Sequence, residues 1–252
     1  HVVYLKGCNF SCLYCGNPES WSPGRTVMIH EERLRDAETA AACPSHAIRR
    51  DAGGYRVDRE LCGACRSFDC AEACHDGSIE VVGETRRVDE IVADAVGYRG
   101  FFGRGGGVTL TGGEPTLQWG FYVELLRGLK GHGLHTAVET NGSHPRLVDS
   151  LEYLDLVICD LKHMDEAEHR RLTGRSNRQT LRNIRAVCEY GTPLWVRIPV
   201  IPTVNDSDEN IEAAAEFLAP MRDRLCVELL AYNRLGVYKW RALGKRLSLI
   251  HI

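Results

Sequence analysis

The sequence predicts an α/β fold built on one parallel sheet, and two observations carry that prediction. From residue 86 onward, short β-rich runs alternate with amphipathic helical stretches, the pattern of repeated βα units. The chain is also the right size: 252 residues with 44% hydrophobic content can bury one large core, and single α/β barrels commonly reach this length undivided.

The apolar run Val2-Val3-Tyr4-Leu5 reads as the first strand. Strands are expected near 107–111, 135–140, 156–161, 194–200 and 226–230, which makes six. Helices are expected over 88–98, 117–130, 145–151, 165–172, 179–190 and 208–218. In the fifth of these Leu181, Ile184, Val187 and Cys188 recur at helical spacing, which marks a core-facing stripe. Residues 40–80 break the alternation with Gly53-Gly54 and a dense group of cysteines. They form a candidate inserted subdomain, leaving 1–39 and 81–246 to the main fold.

Charge narrows the classes of function. The net charge of -3, with Arg mixed among Asp and Glu, gives no basic face for a nucleic-acid backbone, so no nucleic-acid partner is expected. No apolar run approaches the roughly 20 residues of a membrane-spanning helix, and no basic segment leads into a signal-type apolar stretch. No membrane partner is expected, and the chain reads as cytoplasmic.

Eleven cysteines in such a chain point to metal rather than disulfides, because cytosolic thiols are kept reduced. Cys159, Cys188 and Cys226 stand alone and read as small buried hydrophobes. Cys8, Cys12 and Cys15 instead sit in the run Gly7-Cys8-Asn9-Phe10-Ser11-Cys12-Leu13-Tyr14-Cys15, directly after the first strand. A cubane of four irons needs four ligands, so three close thiolates leave one iron open to another molecule. The alternative is a structural zinc, which wants a fourth Cys or His at knuckle spacing; the nearest candidate, His30, is poorly placed.

Polar groups close several strands. Gly112-Gly113-Glu114-Pro115 ends the second strand, where glycines let a ligand approach the backbone and Glu114 can accept from an ammonium group. No Gly-Lys-Ser/Thr follows, so a phosphate loop is disfavoured. Glu139-Thr140-Asn141-Gly142, Asp160-Leu161-Lys162 and Trp195-Val196-Arg197 close three more strands. Charges of both signs gathered at one barrel mouth suit a zwitterionic ligand.

The C-x3-C-x2-C spacing, with Tyr14 before its last cysteine, resembles the signature of the radical S-adenosylmethionine (radical SAM) enzymes. That resemblance implies a catalytic [4Fe-4S] cluster on Cys8, Cys12 and Cys15, with S-adenosylmethionine on its open iron. It also implies a partial (β/α)6 TIM-like barrel, which six strand and helix pairs would match. Over Val3 to Leu243, including Pro199, Pro202 and Lys239-Trp240-Arg241-Ala242-Leu243-Gly244, the chain looks like the glycyl radical enzyme activating enzymes of the pyruvate formate-lyase type. By that resemblance Tyr14, Gly112, Gly113, Glu114 and Glu139 belong to the cofactor site. Asp160 helps hold the amino group of S-adenosylmethionine, and Lys162 and Arg197 serve its carboxylate. The implied partners are a glycyl radical enzyme as protein substrate and a reductant such as flavodoxin or ferredoxin.

The insert resembles a worn bacterial ferredoxin, whose runs read C-x2-C-x2-C-x3-C-P with each fourth cysteine ligating the other cluster. Cys43-Pro44 has the form of a final cysteine, yet Arg33, Asp36 and Thr39 stand where its companions would be. The second run is Cys62, Cys65, Cys70 and Cys74. The crossing rule implies one additional [4Fe-4S] cluster on Cys62, Cys65, Cys70 and Cys43, with Cys74 spare; an alternative set uses Cys74 and omits Cys43. Four thiolates also suit zinc.

The chain departs from the family pattern at Gly16, where many activases have His, and at Asn233, where the pyruvate formate-lyase type has a His near the ribose. Those activases usually carry an Asp-Gly-Pro-Gly segment before the first strand, so the front of the chain is expected to be truncated. The tail 247–252 breaks from the pattern and is expected to be non-native. Three rival functions remain: a radical SAM enzyme acting on a small molecule or nucleotide, a ferredoxin-like electron carrier that binds no S-adenosylmethionine, and a zinc-stabilised interaction module.

Overall fold

The computed structural model describes residues 1–247; the expected non-native tail therefore lies, apart from Leu247, outside the described residues. Six strands form one parallel sheet: β1 (Val2–Leu5), β6 (Val108–Gly112), β7 (Thr136–Thr140), β8 (Leu156–Asp160), β9 (Leu194–Val200) and β10 (Leu225–Ala231), side by side in that order. All six agree with the sequence expectation to within two residues at either end. β1 and β10 are the two edges, so the sheet stays open, which is consistent with a partial barrel.

Helices return the chain between strands. They are α4 (Val88–Gly97), α5 (Trp119–Gly131), α6 (Glu166–Thr173), α7 (Arg178–Tyr190) and α8 (Asp208–Leu218). The core lies between them and the sheet, with Leu110, Val138, Val157 and Val196 from the strands meeting Leu125, Leu129 and Ile184 from the helices. The helix expected over 145–151 is instead a 3-10 segment, Leu147–Tyr153. Ser150 donates to the carbonyl of Leu147 at 2.7 Å and so competes with α-helical bonding there.

The inserted region has a second, smaller core of Ile29, Leu34, Cys43, Ala47, Ile48, Cys70 and Ile79. Its neck is an antiparallel ribbon of β2 (Thr26–Ile29) and β5 (Ile79–Val82). Between them run α1 (Ala37–Ala41), the hairpin of β3 (Ile48–Asp51) and β4 (Gly54–Val57), α2 (Arg59–Ala64) and α3 (Asp69–Glu72). This core reaches back to Ile29, beyond the 40–80 boundary read from the sequence. Strand β2 was not legible because its partner lies fifty residues away.

Cys159 and Cys188 are buried as expected, but Cys226 is exposed. It stands on edge strand β10, which no further strand covers. Among the described residues no helix is long and apolar enough to cross a membrane.

Candidate active site

The loop after β1 carries Cys8, Cys12 and Cys15, and the backbone holds it from two sides. Gly7 N donates to Ser20 O at 2.7 Å and Cys8 N to Trp21 O at 3.1 Å, while Ser11 N and Leu13 N reach Thr173 O and Leu172 O at 2.9 Å each. A third brace comes from α9 (Val237–Ala242), whose Trp240 indole donates to Cys15 O at 2.8 Å. None of these cysteines forms a disulfide.

The three cysteines line a cavity of about 360 Å³ together with Tyr14, Gly112, Gly113, Glu139, Asp160, Lys162 and Arg197. Phe10, Trp21, Asn141, Pro199 and Leu230 complete much of its wall. Every residue expected at the catalytic cluster and cofactor site is therefore gathered in one place, except Glu114. A volume in this range matches ordinary cofactor pockets.

Charges are paired across the strand ends. Lys162 Nζ stands 2.8 Å from Asp160 Oδ2. Burial opposes the lysine's charge, but Asp160, Cys12 and Tyr14 together outweigh it and hold the ammonium well above its ordinary range. Arg197 pairs through Nη1 with Glu139 and through Nε with Glu228 Oε2 at 2.7 Å. Glu139 also accepts from Thr111 Oγ1 at 2.8 Å.

Glu114 has a different task from the one its motif suggests. It is fully buried, capping the 3-10 turn Pro115–Gln118, and it accepts from Thr116 N and Oγ1, from Thr140 Oγ1, and from Asn141 N at 2.7 Å. Both carboxylate oxygens are occupied, so no ammonium group can reach it. Its role is to tie the end of β6 to the end of β7, which fixes Asn141 beside Asn9 at 3.1 Å and 4.0 Å from Cys8 Sγ.

Gly112 and Gly113 likewise serve the fold before any ligand. A Cβ on Gly112 would meet Leu5 O at 2.2 Å, at a φ of +120° that L side chains rarely adopt; on Gly113 it would meet Gly7 O at 2.2 Å. These glycines let the end of β6 lie close against β1 and the start of the cysteine loop.

Burial raises the Cys8 thiol to about 11 and the Cys12 thiol to about 12, and it raises Cys15 as well. The metal-free chain thus keeps these sulfurs protonated, and a metal must displace the protons. Tyr14 Oη is buried without a hydrogen-bond partner among the described residues. A wall of three thiols, mixed charges and an unpaired hydroxyl fits an iron-sulfur cluster with a polar organic cofactor beside it.

In the insert, burial raises Cys70 to about 11, with Cys43, Cys62 and Cys65 adding to it, and Cys62 is raised by burial with Cys43 and Cys65 near it. Cys74 packs against the same small core, and its Sγ stands 3.2 Å from Asp76 Oδ1 and accepts from Ile79 N at 3.2 Å. Among the described residues no three His, Cys, Asp or Glu side chains converge on a single-ion site.

Sequence reasoning missed Glu228, which offers only the signal of one charge inside the apolar run Val227–Leu230. It named Asn141 and Trp240 only within longer segments and gave them no role; the Trp240 target is 225 positions away.

The sequence matches the Radical SAM superfamily over residues 70–218, more than half of the chain. The chain therefore belongs to the radical SAM superfamily, whose cofactors are a [4Fe-4S] cluster and S-adenosylmethionine. It is 37% identical to an isethionate sulfite-lyase activating enzyme of Desulfovibrio desulfuricans, over 98% of this chain and 82% of that protein. It is 32% identical to a 4-hydroxyphenylacetate decarboxylase activating enzyme of Clostridium scatologenes, over 96% of this chain and 80% of that protein. Its place within the superfamily is among the glycyl radical enzyme activating enzymes. The crystal structure of Streptococcus suis SuiB bound to S-adenosylmethionine superimposes with a TM-score of 0.57 over 94% of this chain and 41% of SuiB, at 13% identity, a likeness of fold alone.

Proposed function

We propose that this chain activates a partner glycyl radical enzyme by removing one hydrogen atom from the α-carbon of a glycine in that partner. The observation that carries the reading is the shared cavity: three loop cysteines and the paired charges of three strand ends line one space of about 360 Å³. When bound, the [4Fe-4S] cluster and S-adenosylmethionine supply reductive cleavage of the sulfonium to a 5'-deoxyadenosyl radical. Cys8, Cys12 and Cys15 would hold the cluster. Asp160 would take the amino group, Gly112 and Gly113 would let the ligand approach the backbone closely, and Lys162 and Arg197 would take the carboxylate. Phe10, Tyr14 and Trp21 keep water from the reacting centre, which a selective hydrogen abstraction requires. No general base is needed.

The insert, 40–80 carried on the β2–β5 ribbon, would hold one additional [4Fe-4S] cluster on Cys43, Cys62, Cys65 and Cys70. Support comes from the electrostatic influence of Cys43, Cys62 and Cys65 on Cys70, and of Cys43 and Cys65 on Cys62. A flavodoxin or ferredoxin of the cytoplasm would supply the electron.

The test is anaerobic reconstitution with iron and sulfide, followed by dithionite and S-adenosylmethionine. The parent chain should yield 5'-deoxyadenosine and Cys12→Ala none. Undiminished product from Cys12→Ala would refute the assignment.

A further inference from the structure

Arg197 sits in a row of three charges that runs across the sheet. Asp160 on β8 and Glu228 on β10 both pair with it in register, so the three side chains emerge on one face. A guanidinium is a planar fork of five donors, and carboxylate recognition depends on how that plane is turned. Glu139 takes Nη1 and Glu228 takes Nε at 2.7 Å, which leaves Nη2 without a side-chain partner among the described residues. Glu139 is itself tied to Thr111, whereas Glu228 makes no side-chain hydrogen bond except to Arg197 among the described residues. The Glu228 side chain is 42% exposed on an edge strand, and ion pairs so exposed contribute little to folding.

We propose that Glu228 is a positioning residue: it turns the Arg197 fork toward the α-carboxylate of the ligand, and so makes the cavity select S-adenosylmethionine over adenosyl compounds that lack this carboxylate. The inference rests on the assignment of the cavity to S-adenosylmethionine. Lys162 is a compact charge that any orientation satisfies, so the directional part of the recognition falls to Arg197 and thus to Glu228.

The experiment compares two probes, S-adenosylmethionine and 5'-methylthioadenosine, in equilibrium binding to the anaerobically reconstituted chain. Glu228→Ala should bind S-adenosylmethionine about 5 to 20 times more weakly while 5'-methylthioadenosine is unaffected. Glu228→Gln, which keeps an acceptor oxygen, should fall between. In an Arg197→Ala background, Glu228→Ala should add no further loss, because its effect passes through the arginine. Parent-like affinity in Glu228→Ala, equal loss of both probes, or an additive loss in the Arg197→Ala background would each overturn the proposal while the cavity assignment stands. A parent chain that binds neither probe would overturn the cavity assignment and this inference with it.

Discussion

Trp240 donates its indole N–H to the carbonyl oxygen of Cys15 at 2.8 Å, across 225 positions of sequence. The same short helix α9 sends Lys239 Nζ to Asn17 Oδ1 at 2.7 Å and to Glu19 Oε1 at 2.5 Å. Its last residue, Ala242, accepts through its carbonyl from Arg59 of α2 at 2.9 Å. One helix thus braces the catalytic loop on one side and the insert on the other, with Trp240 buried edge-on against Trp21.

Trp240→Phe keeps most of that packing and removes the donor. The bond is part-buried, so its loss costs about 0.5 to 1.5 kcal/mol. We expect a lower unfolding midpoint and faster loss of iron from the Cys8, Cys12 and Cys15 site on dilution, followed by absorbance under argon. Iron retention equal to the parent would show that Cys15 is held without α9.

The two insert cysteines at issue separate cleanly. With two complete cubanes the parent should hold about 8 irons per chain. Cys43→Ala should drop this to about 4 while the Cys8, Cys12 and Cys15 site keeps its spectrum, and Cys74→Ala should stay near 8, since Cys43 and not Cys74 acts on Cys62 and Cys70. The reverse pattern would move the ligand set to Cys62, Cys65, Cys70 and Cys74.

Burial of the Cys8 and Cys12 thiols gives a pH dependence of definite sign. A pKa raised to about 11 for Cys8 and about 12 for Cys12 lowers the thiolate fraction at neutral pH, and the thiolate is the form that alkylates. In the metal-free chain at pH 7.5, iodoacetamide should therefore label exposed Cys226 at least about tenfold faster than Cys8 or Cys12. The rates at Cys8 and Cys12 should keep climbing with pH beyond 9, as peptide mass spectrometry can follow. Equal labelling of all three cysteines would contradict the buried arrangement.

Periodicity placed all six sheet strands because each is a short apolar run, a local signal; the inner four bury those residues in one continuous core, while the edge strands β1 and β10 leave much of theirs exposed. Cys8, Cys12 and Cys15 were legible for a similar reason: their spacing is short and their chemistry restrictive. What escaped depends on register and distance. Glu228 meets Arg197 only because β10 aligns with β9 in one particular register, and Trp240 meets Cys15 only once α9 has folded back. The glycine pair was found, but its reason was not, since contact with Leu5 O and Gly7 O appears only when β1 and β6 lie side by side.

Glu114 is the sharpest case of a motif residue whose surroundings change its meaning, and a single substitution tests it. Burial raises its carboxyl above the ordinary range, while Thr116, Asn141 and Thr140 pull the other way by donating to it. Glu114→Gln preserves size but puts an amide NH2 where Asn141 N and Thr140 Oγ1 donate, so donors would face donors. The expected cost is about 2 to 4 kcal/mol of stability, from one broken charge-assisted hydrogen bond and one unsatisfied buried donor. A residue that touched the ligand would instead lose affinity at unchanged stability. Chemical unfolding of Glu114→Gln beside its affinity for S-adenosylmethionine separates the two roles: a large fall in the midpoint fits the tie between β6 and β7. An unchanged midpoint with weakened binding would return Glu114 to the ligand.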